Sequence, residues 1–222
     1  MLIRNWMTTE VVSVTPDTSL LKIGKLMRDK GVRRLPVLDE NGGVVGIVSD
    51  RDVRDASPSK ATTLDMYEMH YLLAEIKARD IMTPRPVTIK PTDTVEKAAM
   101  LMLDKKFGGL PVVGDDGALV GIISDQDVFK ALVNITGVRD GGIQLGMEIA
   151  NESGAMRPIF DLLRKHGARI LSVLSTNNQE GRRNIFLRLR DLPDEAAQEA
   201  LLREVQEYAR LLYWAREEVH LA

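Results

Sequence analysis

The stretch VVGIVSDRDV, residues 44–53, recurs 75 positions later as LVGIISDQDV, residues 119–128. The likeness continues without a gap over residues 6–56 and 81–131, where by direct count 21 of the 51 aligned positions are identical. A repeat that occurs twice indicates a pseudo-twofold pair with one shared core, because a solenoid needs three or more stacked units. Such a pair presents two equivalent clefts.

The domain layout follows from the position of the repeat within 222 residues, a length that suits two small domains. We predict a first repeat at 1–56, a helical insert at 57–80, a second repeat at 81–135, a linker at 136–142 and a further domain at 143–222.

Each repeat is predicted to contain a strand, a helix, two strands and a short helix. In the first repeat, residues 11–14 form the first strand, and residues 35–38 and 44–48 flank a hairpin-like turn. In the second repeat, Asp93 and Glu96 are spaced as in a capping box, which predicts that a helix starts at Asp93.

The insert between the repeats is predicted to hold an amphipathic helix. Thr62 and Asp65 are spaced as at a helix start. Apolar side chains follow at helical spacing, at Leu64, Tyr67, Tyr71, Leu72 and Ile76. Two interpretations stay open: the helix covers the core of the pair, or its tyrosines form a dimer contact, since tyrosine is favoured at interfaces.

The C-terminal part predicts the order βαββαβ. The expected strands are 144–150, 169–176, 183–189 and 212–219, and the expected helices are 156–166 and 194–211. This order is the ferredoxin-like layout, an antiparallel sheet with both helices on one face. The predicted fold class is therefore α+β throughout.

Composition argues against several classes of protein. With no cysteine, a disulfide framework, a thiolate nucleophile and a cysteine-ligated metal are excluded. A net charge of −2 lacks the basic surplus of nucleic-acid binding. No secretory leader and no apolar run of about 18 residues is seen, so we expect a cytoplasmic protein with no membrane partner.

Catalytic motifs are not found in the sequence. His70, His166 and His220 are scattered without metal-ligand spacing. Phosphate-binding loops and nucleophile elbows are missing, and paired acids lie in caps and turns, where they are expected without chemistry. We expect no enzyme activity, no metal site and no cofactor.

A Ser-x-x-Asp motif occurs in each repeat, as Ser49 with Asp52 and Ser124 with Asp127. Both motifs are predicted where the last strand passes into a helix. Backbone N–H groups at a helix start suit an anion, the serine adds a donor, and an ionised aspartate accepts from two hydroxyls, as a ribose presents them. The motif is equally an ordinary helix cap, so both interpretations stay open.

Together these motifs resemble the CBS domain pair, often called a Bateman module. The resemblance rests on Met-Thr near each repeat start, Leu-Pro-Val, a glycine turn and Gly-h-h-Ser-x-x-Asp (h apolar), over about residues 1–135. It implies a regulatory adenosine ligand such as AMP, ADP, ATP or S-adenosylmethionine. The aspartate would hold the ribose hydroxyls and the serine would lie beside the phosphate.

The resemblance implies two composite nucleotide sites. One joins Ser124 and Asp127 to Thr15, Leu20, Arg33, Arg34 and Leu35. The other joins Ser49 and Asp52 to Lys90, Val95, Gly108, Gly109 and Leu110. Because arginine grips phosphate oxygens bidentately, we expect the site with the two arginines to prefer ligands with more phosphates.

The C-terminal part is similar to an ACT domain over roughly 143–220, through Glu152-x-Gly154 before a helix and Gly167-Ala168 after it. This implies either an amino-acid effector loop at Asn151, Glu152, Ser153 and Gly154 or a purely dimerising role. The whole arrangement resembles relatives of acetoin-utilisation protein B.

The sequence thus favours a regulatory homodimer that binds an adenosine nucleotide in its clefts. The bound state would pass to the C-terminal domain or to a regulated partner protein. The alternative is a constitutive dimerisation scaffold without a nucleotide, in which the Ser-x-x-Asp motifs only cap helices.

Overall fold

The computed structural model describes residues 1–57, 65–190, 192 and 194–216. They form two compact units, the first covering residues 1–131 and the second starting at residue 132. The helices are α1 (Leu20–Lys30), α2 (Asp50–Asp55), α3 (Met66–Glu75), α4 (Ala78–Ile81), α5 (Val95–Lys105) and α6 (Asp125–Thr136), which spans the unit boundary. The strands of the first unit are β1 (Arg34–Leu38), β2 (Val44–Ser49), β3 (Thr83–Pro84), β4 (Gly109–Val113) and β5 (Leu119–Ser124).

The two repeats build the same hairpin. Strands β1 and β2 pair antiparallel with Arg34 opposite Ser49, and β4 and β5 pair with Gly109 opposite Ser124. Each hairpin has a register shift at the equivalent place, between Val37 and Leu38 and between Val112 and Val113. The two aligned halves of the sequence therefore adopt the same hairpin conformation.

The segment that begins each repeat packs on the other repeat. We call residues 1–8 and 76–84 the lead segments. Thr8 exchanges two backbone hydrogen bonds with Ile122, of 2.9 and 3.0 Å, and Thr83 in β3 pairs with Ile47 in β2. Ile3 is fully buried in the core of the second repeat, so each core is completed by a segment from the other repeat.

A methionine from each lead segment lies directly on a glycine of the opposite sheet. A Cβ atom on Gly46 would overlap the side chain of Met82, and a Cβ atom on Gly121 would lie 2.6 Å from Met7 Sδ. These two contacts are equivalent by the repeat. Glycine is needed at both positions because a larger residue would push the lead segment off the sheet.

The first strand predicted in the first repeat, residues 11–14, is reduced to a single parallel bridge between Val14 and Val37. Val14 N donates to Pro36 O at 3.0 Å, and Leu38 N donates to Val14 O at 2.9 Å. The following residue, Thr15, already belongs to a turn and donates its N–H to Thr18 Oγ1 at 3.0 Å. The ladder therefore ends after one residue.

Helix α5 begins one residue later than predicted. Its N-cap is Thr94, whose side chain accepts from Lys97 N. Asp93 instead accepts from Lys90 N at 2.9 Å and from Lys97 Nζ at 2.7 Å. The predicted cap at Asp93 is thus wrong by one position.

Helix α3 of the insert starts at an Asp65 N-cap with a capping box to Glu68, while Thr62 and Leu64 lie outside the described residues. Tyr67 and Tyr71 are 87% and 67% exposed. These two tyrosines therefore lie outside the core of the pair, while the interpretation that the helix covers that core stays a prediction. Ala78 of α4 belongs to the core of the first repeat.

The second unit is built from β6 (Ile143–Ile149), α7 (Arg157–Lys165), β7 (Arg169–Asn177), β8 (Arg183–Arg190), α8 (Glu195–Val205) and β9 (Arg210–Arg216). All paired strands are antiparallel, in the order β7-β8-β6-β9. Alternate strand residues such as Leu145, Met147 and Leu187 pack with Ile159 and Leu163 of α7 and with Leu201 of α8. The core thus lies between the sheet and its helices.

Helix α8 ends at Val205, six residues before the predicted end at Leu211. Leu211 instead pairs with Met147 in the sheet and packs against the core of this unit. The helix ends although the sequence has no glycine or proline stop there, because Leu211 pairs in the sheet and packs, partly buried, against the core.

A buried carboxylate tethers the strands on the other face of this sheet. Glu148 is only 4% exposed. It accepts from Asn178 Nδ2 at 2.7 Å, pairs with Arg182 Nε at 2.8 Å and pairs with Arg210 Nη2 at 3.1 Å. Its side chain therefore links β6 to β9 and to the turn between β7 and β8.

We predict that Gly46→Ala destabilises the first unit by about 1–3 kcal/mol, because the new methyl group overlaps Met82. Gly24→Ala is the matched control: its Cβ atom would make ordinary contacts of 3.5 and 3.8 Å. Inside α1 the control should stabilise by about 0.5–1 kcal/mol. Urea unfolding measures both changes. Met82→Ala added to Gly46→Ala should give a cost below the sum of the two single variants, and strict additivity would contradict the contact.

We predict that Glu148→Ala destabilises the second unit by about 2–3 kcal/mol. The substitution removes the buried carboxylate that pairs with two arginines. The loss of unfolding free energy is limited because both arginines are partly exposed. The chain has two tryptophans, so a Trp6→Phe background leaves Trp214 to report on this unit by fluorescence. Glu152→Ala, on an exposed turn, should change the stability by less than about 0.5 kcal/mol. Equal effects of the two substitutions would contradict the role of Glu148.

Candidate functional site

A cleft of about 770 Å³ opens in the first unit. Three segments line most of it: residues 47–54 at the end of β2 and in α2, residues 83–87 at and after the end of the second lead segment, and residues 106–111 around the start of β4. The exchange of lead segments explains this composition, because β3 pairs with β2 and so carries residues 85–87 to the junction at Ser49. The cleft is therefore composite between the repeats.

The remaining lining residues are set by the hairpin register. Arg34 lies opposite Ser49 across β1 and β2, and Asp50 N donates to Arg33 O at 2.9 Å. In the second repeat, Asp125 N donates to Gly108 O at 3.0 Å. In each repeat, the junction between the second strand and the helix is therefore bonded to the residue pair at which the first strand of the same hairpin begins.

The glycine pair of the second repeat makes room for an arginine of the first. A Cβ atom on Gly108 would overlap the guanidinium group of Arg34, and one on Gly109 would lie 3.2 Å from Arg34 Cδ. Arg34 therefore lies across both glycines. The Arg-Arg and Gly-Gly pairs, which the sequence analysis assigned to separate sites, belong to one cleft.

Both Ser-x-x-Asp motifs form helix caps. Ser49 N and Ser49 Oγ each donate to Asp52 Oδ2 at 2.7 Å, and Asp52 N donates to Ser49 Oγ at 3.3 Å. In the second repeat the same three distances are 2.9, 2.6 and 3.4 Å. The capping interpretation is thus correct for both motifs. It leaves the ligand interpretation open, because a cap uses only one carboxylate oxygen.

The second carboxylate oxygen differs between the two repeats. Asp127 Oδ1 accepts from Lys130 Nζ at 3.1 Å, and Asp127 is 6% exposed. The residue equivalent to Lys130 is Asp55, and within the described residues no hydrogen bond reaches Asp52 Oδ1. In the cleft, Asp52 therefore keeps an acceptor for an incoming hydroxyl.

The lining of the cleft carries an excess of positive charge. Its six basic residues are Arg33, Arg34, Arg51, Arg54, Arg85 and Lys106, against three carboxylates at Asp50, Asp52 and Asp125. Arg54 pairs with Asp50 at 3.3 Å. Across the described ranges of the chain, the other five basic residues have no ion-pair partner. Unpaired cations around one cleft favour an anionic ligand.

The helix-start contribution expected from the sequence is small, because α2 has only six residues and its first N–H groups are engaged in the cap and hairpin. The attraction for an anion therefore comes from side chains. Beside the cations, Val87 and Phe107 are 38% and 36% exposed and give the cleft an apolar part.

Seven of the predicted site residues line this cleft: Arg33, Arg34, Ser49, Asp52, Gly108, Gly109 and Leu110. The others lie outside its lining: Thr15, Leu20, Leu35, Lys90, Val95, Ser124 and Asp127. Arg34 lies opposite Ser49 across the hairpin, and its side chain also crosses Gly109, the strand partner of Ser124. The expected grouping of Arg33 and Arg34 with Ser124 and Asp127 therefore stays a prediction.

The residues outside the cleft have other roles. Leu20, Leu35 and Val95 are at most 2% exposed and have no surface to offer a ligand of this cleft. Lys90 Nζ pairs with Asp115 at 2.7 Å. Its hydrogen bond lowers the pKa of the Asp115 carboxyl, and Asp115 in turn raises the pKa of Lys90.

Sequence reasoning missed four basic residues of the cleft: Arg54, which pairs with Asp50, and the three without an ion-pair partner among the described residues, Arg51, Arg85 and Lys106. The aligned positions of the other repeat hold Gln126, Glu10 and Gly31 in place of these three. That divergence within a close repeat was visible in the sequence. Which cleft these residues line depends on the exchange of lead segments, which the sequence does not reveal.

Outside this cleft, the predicted effector loop at residues 151–154 is an exposed turn in which Gly154 has φ 85°. A separate depression of about 390 Å³, lined by α7 residues and Tyr208, does not include this loop. In the described part of the chain, no group of three or more His, Cys, Asp or Glu side chains could hold a metal. Among the same residues, no helix has the length and apolarity to cross a membrane.

Known proteins resemble this chain over the repeats. A CBS domain-containing protein of Dictyostelium discoideum is 32% identical over 134 residues, which cover 60% of this chain and 92% of that protein. The crystal structure of CBSX2 in complex with AMP matches with a TM-score of 0.52 and 32% identity, over 60% of this chain and 97% of that one. A Vibrio cholerae protein named for acetoin utilization matches with a TM-score of 0.52 and 25% identity, over 63% of this chain and 96% of that one.

The sequence model of the CBS domain matches residues 3–59 and 78–134, the two halves that the structure shows as one repeated frame. The prediction of a tandem pair is confirmed: the chain belongs to the CBS domain family.

Proposed function

We propose that the protein is a cytoplasmic, non-catalytic sensor that binds an adenosine nucleotide in the cleft beside Asp52. The observation that carries the proposal is the convergence of an open carboxylate oxygen with five unpaired cations on one cleft. A ribose diol needs an acceptor, and phosphates need cations. A nucleotide satisfies both with one molecule.

Each part of the ligand has a place in this arrangement. Asp52 Oδ1 accepts from the ribose hydroxyls, while Ser49 stays in the cap. The phosphates lie towards the arginines of the lining, and the base lies against Val87 and Phe107. The relative CBSX2, whose crystal structure contains AMP, supports an adenosine ligand.

Binding in this cleft would change how the two repeats pack against each other. Residues 47–54 come from the first repeat and residues 106–111 from the second, so one ligand connects both. A ligand shifts an equilibrium only by its differential affinity for two states. The state favoured by the nucleotide would then be passed to the second unit or to a regulated partner.

For the second unit we propose a ferredoxin-like, ACT-like domain. Its connectivity, strand-helix-strand-strand-helix-strand, and its strand order β7-β8-β6-β9 support this assignment. An amino-acid effector at Asn151 to Gly154 and a purely dimerising role both remain compatible with the exposed turn there.

We also propose a homodimer. Helices α5 and α6 carry large apolar side chains that are exposed, among them Leu103 at 79% and Phe129 at 64%. Exposed apolar surface of this kind is covered in stable assemblies.

A constitutive scaffold is the second candidate, and the two complete capping boxes favour it. In that case both Ser-x-x-Asp motifs serve helix stability alone. The two candidates differ in how an aspartate substitution responds to nucleotide.

We expect ATP, ADP or AMP to raise the melting temperature of ligand-free protein. Saturation at about 100 times Kd stabilises by about 2.7 kcal/mol, because the ligand binds only the native state. Asp52→Ala should lower the stability of the free protein by about 1 kcal/mol through the lost cap and should abolish the nucleotide-induced shift. Thermal unfolding with and without each nucleotide measures both effects.

Asp65→Ala is the control, since it removes the capping box of α3 away from the cleft. It should cost a similar stability while keeping the full nucleotide shift. If no adenosine compound stabilises the protein, the scaffold function replaces the sensor. If Asp52→Ala leaves the shift intact, the nucleotide binds elsewhere and the proposed site beside Asp52 is wrong.

We expect sedimentation equilibrium at micromolar concentration to give the mass of two chains. Phe129→Glu should reduce the mass to that of one chain if α6 contributes to the contact, because a charge would be desolvated there. Lys25→Glu, an exposed change on α1, serves as the charge-altering control. A wild-type monomer would contradict the homodimer.

A further inference from the structure

The basic residues of the cleft are present on one side of the pseudo-twofold pair and missing on the other. Arg51 is matched by Gln126, Arg85 by Glu10 and Lys106 by Gly31. Arg54, a fourth lining cation, is matched by Phe129. Every one of these differences places a positive charge at the Asp52 cleft and none at its counterpart.

The carboxylates differ in the same direction. Asp127 is buried, and its second oxygen is held by Lys130 at 3.1 Å. At the Asp52 cleft the position of Lys130 is taken by Asp55, which cannot donate to Asp52. The counterpart therefore has no open oxygen on its aspartate and no positive charge at the positions of Arg51, Arg85 and Lys106, while its cap is complete.

Two of the cations are held in an unfavourable backbone conformation. Arg85 has φ 47° and Lys106 has φ 56°, and they are the non-glycine residues with positive φ among those described. The equivalent of Lys106 is Gly31, with φ 63°, the residue type that suits this helix end. A lysine in a glycine conformation costs stability, so its side chain is placed there against the local backbone preference.

We infer that the Asp52 cleft is the single nucleotide site of this chain, and that Arg51, Arg85 and Lys106 make it select ligands carrying two or more phosphates. The inference rests on the proposed function for the adenosine part of the ligand. It adds the stoichiometry of one per chain, the phosphate requirement and the residues that impose it. Ser124 and Asp127 are assigned to helix capping.

The requirement for more than one phosphate follows from the different chain segments that carry the three cations. Arg51 lies in the first turn of α2, Arg85 follows β3 and Lys106 is the C-cap of α5, so they approach the cleft from three separate segments. A single phosphate at the ribose offers its oxygens at one point. A diphosphate or triphosphate extends over several ångströms and can meet all three groups, each through a charge-assisted hydrogen bond.

The test is isothermal titration calorimetry of the full chain with ATP, ADP, AMP and inorganic tripolyphosphate. Each variant carries the residue that the other repeat holds at the aligned position: Arg51→Gln, Arg85→Glu and Lys106→Gly. We expect one ATP per chain in the wild type. Each variant should lose about tenfold in ATP affinity, with less than about threefold change for AMP.

Two controls separate the cleft from general charge and folding effects. Lys25→Glu makes the same charge change as Arg85→Glu on an exposed residue of α1 outside the cleft and should leave the ATP affinity within about twofold. Lys106→Gly should keep or raise the melting temperature of the free protein, because it relieves the left-handed lysine. A loss of ATP affinity in this variant therefore cannot be ascribed to unfolding.

The outcomes distinguish this inference from the proposed function. Two equal sites per chain, or an ATP to AMP affinity ratio that the three variants leave unchanged, would overturn the inference while the sensor function stands. Tripolyphosphate binding as tightly as ATP, with the same losses in the variants, would support the phosphate site and overturn the adenosine ligand. Binding of none of the four compounds would overturn both.

Discussion

The structure of the CBS pair depends on the exchange of lead segments between its repeats. Each segment places a methionine on a glycine of the opposite sheet, Met82 on Gly46 and Met7 on Gly121. The same exchange inserts Ile3 into the core of the second repeat and Ala78 into that of the first. Neither repeat has a complete core alone, and the cleft exists because residues 83–87 are carried across.

The Ser-x-x-Asp motif shows why a capping sequence and a ligand sequence are hard to separate. In both repeats one carboxylate oxygen closes the cap, which contributes about 1 kcal/mol of helix stability without a ligand. Only the second oxygen can serve a ribose. Whether it does depends on residues that the motif does not contain, such as Lys130 in one repeat and Asp55 in the other.

Much of the first unit could be predicted from the sequence, because a gap-free repeat with hydrophobic strands and glycine turns fixes two equal hairpins. The failures have local and tertiary causes. The N-cap of α5 is Thr94 and not the predicted Asp93, because both residue types are favoured at N-caps and the sequence does not distinguish them. Helix α8 ends at Val205 because Leu211 pairs with Met147 in the sheet and packs, partly buried, against its core. That Arg33 and Arg34 line the cleft beside Asp52 could not be predicted, since it depends on strand pairing and on the exchange of lead segments.

The two repeats are alike at positions that pack in the core and differ at positions that face the cleft. Positions that hold the pair together are the same in both, as with Gly46 and Gly121 or Met7 and Met82, because one packing geometry is used twice. Positions that face the cleft differ in charge, and at Lys106 the difference costs about 1 kcal/mol of backbone strain. Backbone strain of this kind is retained where the side chain has a function other than packing. In this chain it coincides with the cleft, so the asymmetry of the pair is better explained by a ligand than by stability.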